Sequence, residues 1–358
     1  MIENSDFRIE EPDLSSKYDV ELIRRFLSPL GFYFDAGAVD YSIILYNLND
    51  DIVGVGSYQG KILKYLVVAP EFRESGAFAH IVTFLTEKVI SEHQQAFVFT
   101  RPENINYFTG LGYNLIATAE PLIAVLEFGY ADISRYCEYL KSIKLDNAIG
   151  SAAAIVMNCN PFTLGHQYLV EKASEENEIV YLFVVEEDRS TFKFTDRWNM
   201  IKAGTRHLSN VIMVKGGEYV VSEATFPSYF LKNESTNLIT QKQAELDITI
   251  FCQYIAPTLN ITARYVGTEC YCSTTELYNT VMQNLLPKYG IDFCEIKRKE
   301  ILGEGGKEWI SASKVRDAIV KGEYDRMKLF LPSTTIRYLN EGLVEKIRHR
   351  LEVNRCRH

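Results

Sequence analysis

The apolar residues follow two different patterns along the chain, and the change comes near residue 150. Beyond it, runs that are apolar throughout alternate with stretches of helical spacing. Such uninterrupted runs are typical of strands in a parallel sheet that is covered on both faces. They predict strands at 152–157, 179–185, 211–214, 261–266 and 291–296, with helices at 164–174, around Arg197, at 241–254 and at 275–286. This alternation predicts an open, doubly wound α/β sheet, which binds ligands beyond the carboxyl ends of its strands.

The first part of the chain mixes shorter strands with helices. β-Branched and aromatic residues favour strands at 42–48, 65–68 and 96–100. Residues 77–90 carry apolar side chains at helical spacing, and a short helix is predicted between Pro102 and Gly110. Because 358 residues exceed what one core usually supports, we predict two domains. They are an α+β domain at 1–131 and a parallel-sheet domain with C-terminal helices at 151–358, connected through 132–150.

Composition narrows the possible functions. A net charge of −9 argues against binding to duplex nucleic acid, which requires clustered Lys and Arg. The apolar runs are too short to cross a bilayer, and the acidic N-terminus does not resemble a signal peptide. Seven cysteines without a Cys-x-x-Cys pair predict reduced thiols in the cytoplasm and no metal site.

A first candidate motif, NCNPFTLGHQ, follows the strand predicted at 152–157. Thr163 can cap the next helix through its hydroxyl group, and Gly165 lets a ligand approach the backbone. His166 lies one helical turn after Thr163, where an imidazole can donate to a phosphate oxygen as negative charge develops. Taken alone, the motif fits a capped helix with a surface histidine equally well.

A second motif, ISASKVR, begins a late helix that is predicted to end at Gly322. Ser311, Ser313 and Arg316 lie in its first turns and form a second candidate anion site. A solvated helix with a serine cap is the ordinary interpretation of this motif alone. Two such helix starts in one parallel sheet are far less expected by chance, and together they favour a triphosphate site.

The two motifs resemble those of the cytidylyltransferase-like nucleotidyltransferases, which carry His-x-Gly-His or Thr-x-Gly-His early and Ile-Ser-Ser-Thr-x-x-Arg late. Almost the whole chain also resembles the [citrate (pro-3S)-lyase] ligase family. This second resemblance rests on NPFTLGHQYLVEKA (160–173), FKFTDRWNMIKAGT (192–205), SEATFPSYFLK (222–232), YVGTECYCSTTELYN (265–279) and ISASKVR. It implies a ligase that uses ATP and Mg²⁺ to activate acetate as acetyl-AMP. The acetyl group then passes to the dephospho-CoA-derived thiol of the acyl carrier (gamma) subunit of citrate lyase.

The resemblance also implies residue roles. The predicted catalytic residues are Thr163, His166 and Arg316. The predicted ATP-binding residues are Asn160, Phe162, Gly165, Arg197, Gly267, Glu269, Ser311 and Ser313. Gly267 and Glu269 are included because they follow a predicted strand at the expected ligand edge, where we expect them to contact the ribose or the base. Arg197 fits a surface helix position equally well, and Lys193 and Lys232 are weaker candidates.

The first domain resembles the GNAT acyltransferase fold. Arg73-x-x-Gly76 matches the turn that binds the coenzyme A pyrophosphate in that fold, but Phe78 stands where a small residue is usual. We therefore expect a docking or structural role more than acyl-CoA binding. Two other enzyme classes stay open at this stage. They are a nucleotidyltransferase that makes a dinucleotide-like cofactor and an acetyltransferase that uses acetyl-CoA.

Overall fold

The computed structural model describes residues 6–145, 151–186, 190–220, 231, 234–269, 273–303, 306–339 and 341–355. The chain folds into two compact units. The first extends to Tyr136 and includes a later segment that ends at Leu246. The second begins at Cys137 and resumes at Asp247. The division passes through two helices, α4 (Ile133–Ile143) and α7 (Thr236–Ile250).

The first unit contains a seven-stranded sheet in the order β1-β2-β3-β4-β5-β7-β6. The strands are β1 (Phe7–Glu10), β2 (Tyr41–Asn47), β3 (Ile52–Gln59), β4 (Ile62–Val68), β5 (Gln95–Thr100), β6 (Asn114–Ala119) and β7 (Ile123–Gly129). Neighbours are antiparallel except β4 and β5, which pair in parallel through two residues each. The helices are α1 (Lys17–Leu27), α2 (Ala77–His93) and α3 (Ile105–Thr109).

Each face of this sheet is covered by a helix, because successive side chains of a strand point to opposite sides. Ile43 and Leu45 pack in the same cluster as Ile81 and Leu85 of α2. Ile44, between them on β2, packs with the α1 residues instead. The structure thus confirms an α+β unit with a mixed sheet.

Helix α2 lies unusually close to β3 at two glycines. A Cβ atom added to Gly56 would stand 2.4 Å from Ile81 Cγ2, and one added to Gly54 would stand 2.7 Å from Ile81 Cδ1. These contacts would force the helix outward. The two glycines are therefore a packing requirement of this strand.

The second unit contains a five-stranded sheet in the order β10-β9-β8-β11-β12, and all its neighbours are parallel. The strands are β8 (Ala152–Met157), β9 (Ile179–Val184), β10 (Val211–Lys215), β11 (Ile261–Gly267) and β12 (Asp292–Ile296). The predicted doubly wound sheet is confirmed. The strand order reverses between β8 and β11, so the crevice at their carboxyl ends is the expected ligand site.

The helices of this unit follow the predicted alternation with the strands, and several helices follow at the C-terminus. They are α5 (Leu164–Glu176), α6 (Phe194–Thr205), α7, α8 (Ala256–Leu259), α9 (Ser273–Leu285), α10 (Ala312–Lys321), α11 (Tyr324–Lys328), α12 (Ser333–Tyr338) and α13 (Glu341–Arg355). A π-helical turn, Phe251–Ile255, separates α7 from α8. A hairpin of β13 (Glu300–Gly303) and β14 (Gly306–Trp309) precedes α10. In the part of the chain that the structure describes, no helix has the length and apolar character needed to span a membrane.

Candidate active site

The loop after β8 delivers the first motif to the start of α5. Cys159 has a positive φ of 53°, and the following Asn160–Pro161 peptide bond is cis. Thr163 is the N-cap of α5, and its hydroxyl group accepts a hydrogen bond from the His166 N–H. His166 returns the interaction, because its Nδ1 accepts from the Thr163 N–H at 3.0 Å. This reciprocal pair is a capping box with histidine in the place usually taken by Glu or Gln.

The capping box settles which nitrogen of His166 carries the proton. Since Nδ1 accepts a hydrogen bond, the proton of the neutral ring lies on Nε2. Burial, and secondarily the positive charge of Arg298, lower the pKa of His166 to about 4. The ring is therefore neutral near pH 7 and offers its Nε2–H as a hydrogen-bond donor. It also lies nearly parallel to the buried Phe162 ring, with centroids 6.0 Å apart.

Most N–H groups in the first turn of α5 already have partners. The Leu164 N–H donates to the Phe330 carbonyl oxygen at 2.9 Å, and the His166 N–H donates to Thr163. For Gly165 the described residues show no such partner. A Cβ at Gly165 would meet only ordinary contacts, the nearest being Ile310 Cγ2 at 3.5 Å. The fold itself thus tolerates a side chain here, and close approach of a ligand is the remaining reason for glycine.

The second motif forms the start of α10 as predicted. Ser311 is the N-cap, and its hydroxyl group accepts from the Ser313 N–H at 3.2 Å. Arg316, one turn later, donates to the Asn160 carbonyl oxygen at 2.6 Å and to Ser313 Oγ at 3.3 Å. One guanidinium therefore joins the late motif to the loop that carries the early motif. The two motifs, which were expected from the sequence to lie at one site, are in direct contact.

Asn160 and Phe162 hold this loop in place. The Asn160 side-chain oxygen accepts from the Phe192 N–H at 3.0 Å, while its carbonyl oxygen binds Arg316. Phe162 is fully buried, and a Cβ on Gly204 of α6 would overlap its ring at 2.3 Å. The Phe162 side chain thus fixes the loop against α6, and any contact that Phe162 makes with a nucleotide would come from its backbone.

Arg197 of α6 is fully buried, so the alternative of a surface helix position is wrong. Its guanidinium donates to the Val185 carbonyl oxygen at 2.6 Å, to that of Asn158 at 3.0 Å and to that of Phe192 at 3.1 Å. These acceptors lie where β8 and β9 end and where α6 is about to begin. Arg197 therefore ties together the loops that surround the site.

The ends of β11 and β12 also border the site. Gly267 ends β11, and a Cβ there would meet open space. Glu269 forms an ion pair with Arg298, with Oε2 and Nη2 2.7 Å apart. The Arg298 N–H also donates to Thr268 Oγ1 at 3.0 Å. Gly267 and Glu269 were predicted from the sequence and Arg298 was not, although a Lys-Arg-Lys run directly after a strand end is a usable signal.

The C-terminal helices also contact two loops around the site. Thr335 of α12 is fully buried and donates from Oγ1 to the Phe162 carbonyl oxygen at 3.1 Å. Arg350 of α13 donates to the Thr191 carbonyl oxygen at 3.2 Å. Sequence-distant helices of the second unit thus hold both the loop between β8 and α5 and the loop between β9 and α6.

Two candidates contribute less to this picture. Lys193 is exposed and serves as the N-cap of α6 without a side-chain hydrogen bond. Lys232 and nearly all of the SEATFPSYFLK segment lie outside the described residues. Among the residues that the structure does describe, no group of three or more His, Cys, Asp or Glu is placed to hold a metal ion.

In the first unit, the turn before α2 has the expected backbone. Gly76 is the N-cap of α2 with φ of 81°, a left-handed conformation that favours glycine. The Phe78 ring makes edge contacts with Tyr107 and Phe108, with centroids 6.0 and 5.3 Å apart. The ring is therefore part of a small aromatic cluster beside this turn.

Sequence comparisons identify relatives along nearly all of the chain. Residues 152–339 match the family described as citrate lyase ligase C-terminal domain. A [citrate [pro-3S]-lyase] ligase of Haemophilus influenzae is 36% identical over 332 residues, which cover 90% of this chain and 95% of that protein. The corresponding Escherichia coli protein is 33% identical, with 84% of each chain covered.

Solved structures of low identity align over part of the chain. A putative nicotinate-nucleotide adenylyltransferase from Vibrio parahaemolyticus is 16% identical with a TM-score of 0.33, over 55% of this chain and 96% of that one. A spermidine N-acetyltransferase (SpeG) variant from Vibrio cholerae is 8% identical with a TM-score of 0.30, over 36% of this chain and 96% of that one. The sequence relatives decide the assignment: this chain belongs to the [citrate (pro-3S)-lyase] ligase family.

Proposed function

We propose that this protein uses ATP to acetylate the prosthetic-group thiol of the citrate lyase acyl carrier subunit, with release of AMP and diphosphate. The observation that carries the proposal is the contact between Arg316 and the Asn160 carbonyl oxygen. It joins two helix starts, those of α5 and α10, that are both suited to phosphate groups. The family relationship supplies the acetate and the carrier as substrates.

The first step of the proposed reaction forms the adenylate. An acetate oxygen attacks the α-phosphorus of ATP, and the bond to the bridging oxygen breaks so that diphosphate leaves. Negative charge increases on the α-phosphate oxygens in the transition state. The Nε2–H of His166 and the open N–H of Gly165 are the donors that would stabilise this charge, while Arg316 and the Ser313 hydroxyl group would bind the departing phosphates.

The second step transfers the acetyl group. The carrier thiolate attacks the carbonyl carbon of acetyl-AMP, and AMP leaves with the oxygen that came from acetate. A neutral His166 suits this step as well, because it can again donate to the phosphate of the leaving AMP. We assign the carrier thiol no partner residue in this chain.

The described residues offer no acidic cage for the Mg²⁺ that the family relationship implies. Magnesium commonly keeps several waters and binds the phosphates of its nucleotide, and we propose this form for the ion here. It would neutralise charge on the diphosphate. The cytoplasmic location is likewise a proposal, and it agrees with the free thiols of Cys137, Cys159, Cys252 and Cys294.

The test supplies the full chain with ATP, acetate and the deacetylated carrier subunit. We expect one acetyl group on the carrier thiol by mass spectrometry, with AMP as the nucleotide product. Labelled diphosphate should also exchange into ATP when acetate is present without the carrier. A carrier that gains no acetyl group, with no exchange, would refute the proposal.

Two controls separate the alternative enzyme classes. An adenylylated phosphate monoester in place of AMP would indicate a cofactor-forming nucleotidyltransferase. Acetylation from acetyl-CoA without ATP would place the activity in the first unit instead.

A further inference from the structure

Arg298 lies at the same sheet edge as the two motifs but belongs to neither. It follows the end of β12, which pairs with β11 up to Gly267 and Ile296. The Thr268 N–H donates to the Ile296 carbonyl oxygen at 3.0 Å, so the two strand ends continue side by side into their loops. Strand β11 in turn neighbours β8, and the loop after β8 leads to His166 in the first turn of α5. Three adjacent strand ends thus meet at one crevice.

The ion pair with Glu269 uses only part of the hydrogen-bonding capacity of the Arg298 side chain. Glu269 binds one terminal nitrogen at 2.7 Å, and its own carboxylate side chain is only 8% exposed. A guanidinium carries five N–H donors, and among the described residues Glu269 is the side-chain partner that the structure gives it. The Arg298 side chain is 23% exposed, which leaves its other donors accessible.

Arg298 also acts electrostatically on His166. Its positive charge contributes to the low pKa of His166, so the two groups are close enough to interact electrostatically. Lys297 and Lys299 flank it and are exposed.

We infer that Arg298 binds the α-phosphate of the nucleotide beside His166, and that Glu269 is a positioning residue that orients the Arg298 guanidinium. The inference deepens the proposed function and rests on it. It also changes the expected role of Glu269 from a ribose or base contact to a support for the cation. Charge-assisted hydrogen bonds from a fixed arginine are among the strong ones and are geometrically specific.

The test measures nucleotide binding directly, with the full chain and without acetate or carrier. Arg298→Ala should weaken the binding of ATP and of AMP by the same factor, about ten- to a hundredfold, because both nucleotides carry the α-phosphate. Arg25→Ala is the matched control. It removes one arginine from an exposed ion pair with Glu21 in the first unit and should change neither affinity. Isothermal titration with each nucleotide gives both constants.

Glu269→Gln should weaken AMP less than Arg298→Ala does, because the guanidinium remains but is no longer oriented. Combining the two changes should be no worse than Arg298→Ala alone, since residues that act as one unit are not additive. A purely structural role for Glu269 predicts additive losses instead. A cooperative thermal melt verifies that each variant is folded. If Arg298→Ala does not melt cooperatively, Arg298→Gln is measured in its place.

A second measurement is independent of affinity. NMR titration of the His166 ring should show a higher pKa in the Arg298 variant than in the unaltered protein, because a nearby positive charge has been removed. An unchanged AMP affinity in a folded Arg298 variant would overturn the inference. Unaltered protein that binds neither ATP nor AMP would refute the proposed function itself, so the two failures are distinguishable.

Discussion

At the scale of single residues, His166 has two roles, and His166→Ala would remove both at once. It completes the capping box of α5 and presents the donor Nε2–H. His166→Gln separates them, because Gln at this position is a usual capping-box partner. We expect His166→Gln to melt close to the unaltered protein while acetate-dependent diphosphate exchange falls by about a hundredfold to a thousandfold.

His166→Ala is the comparison variant. It loses the cap as well as the donor, so its free energy of unfolding should also fall, by about 1 kcal/mol. Exchange at the unaltered rate in a folded His166→Gln protein would remove the imidazole from the mechanism.

The lowered pKa of His166 predicts a pH dependence of stability. Since the folded pKa of about 4 lies below the ordinary value of 6.5, the unfolded state binds the proton more readily between these two values. This contribution to stability is complete above pH 6.5 and is lost as the pH falls towards 4. Chemical denaturation from pH 7 to 4 should show a smaller loss for His166→Gln than for the unaltered protein. Equal losses would mean that the ring is not a buried neutral base.

Arg197 tests whether a buried cation acts on the ligand or on the loops. It donates to three backbone carbonyl groups, which would be left without this donor in Arg197→Ala. We expect a loss of about 3 kcal/mol or more in the free energy of unfolding, together with weaker ATP binding. Arg197→Lys should rescue little, because a single ammonium group cannot reproduce the planar fork. Unaltered stability with lost ATP binding would instead support direct phosphate contact.

At the scale of elements, Arg316 joins α10 to the loop after β8. If Arg316 binds the outer phosphates, Arg316→Ala should weaken the binding of ATP about tenfold more than the binding of AMP. The same measurement on the Arg298 variant should show equal losses, which makes each variant the control for the other. Equal losses for Arg316→Ala would place that guanidinium away from the outer phosphates.

The parallel sheet and both helix starts were predictable from the sequence, because continuous apolar runs and N-cap hydroxyl groups are local signals. The strand β3 was not predicted, since Gly54 and Gly56 lower its strand propensity. The reason for them is the approach of α2, which is a tertiary contact. Arg298 was missed for a related reason: its partner Glu269 lies 29 residues away on a neighbouring strand end.

At the scale of the whole molecule, we predict that acetate activation requires only the parallel-sheet domain that follows residue 150. A fragment that begins near Asn147 should still exchange labelled diphosphate into ATP, and acetyl transfer to the carrier could then be compared with the full chain. The start of α7 groups with the first unit, and its Ala244 and Leu246 are fully buried. We therefore expect the fragment to melt at a lower temperature. A cooperatively folded fragment that binds ATP without acetate-dependent exchange would contradict this division.

The contacts of Phe162 and Asn160 with Thr335 and Arg316 have a consequence for biosynthesis. The Thr335 bond joins residues 173 apart in sequence, and the Arg316 bond joins residues 156 apart. Domains generally fold as they leave the ribosome, the N-terminal part first. The first motif of this chain is translated long before the helices that hold it. A nascent chain therefore cannot assemble the proposed nucleotide site until α12 has emerged, and ATP present at that moment would favour the last docking step if it binds only the finished site.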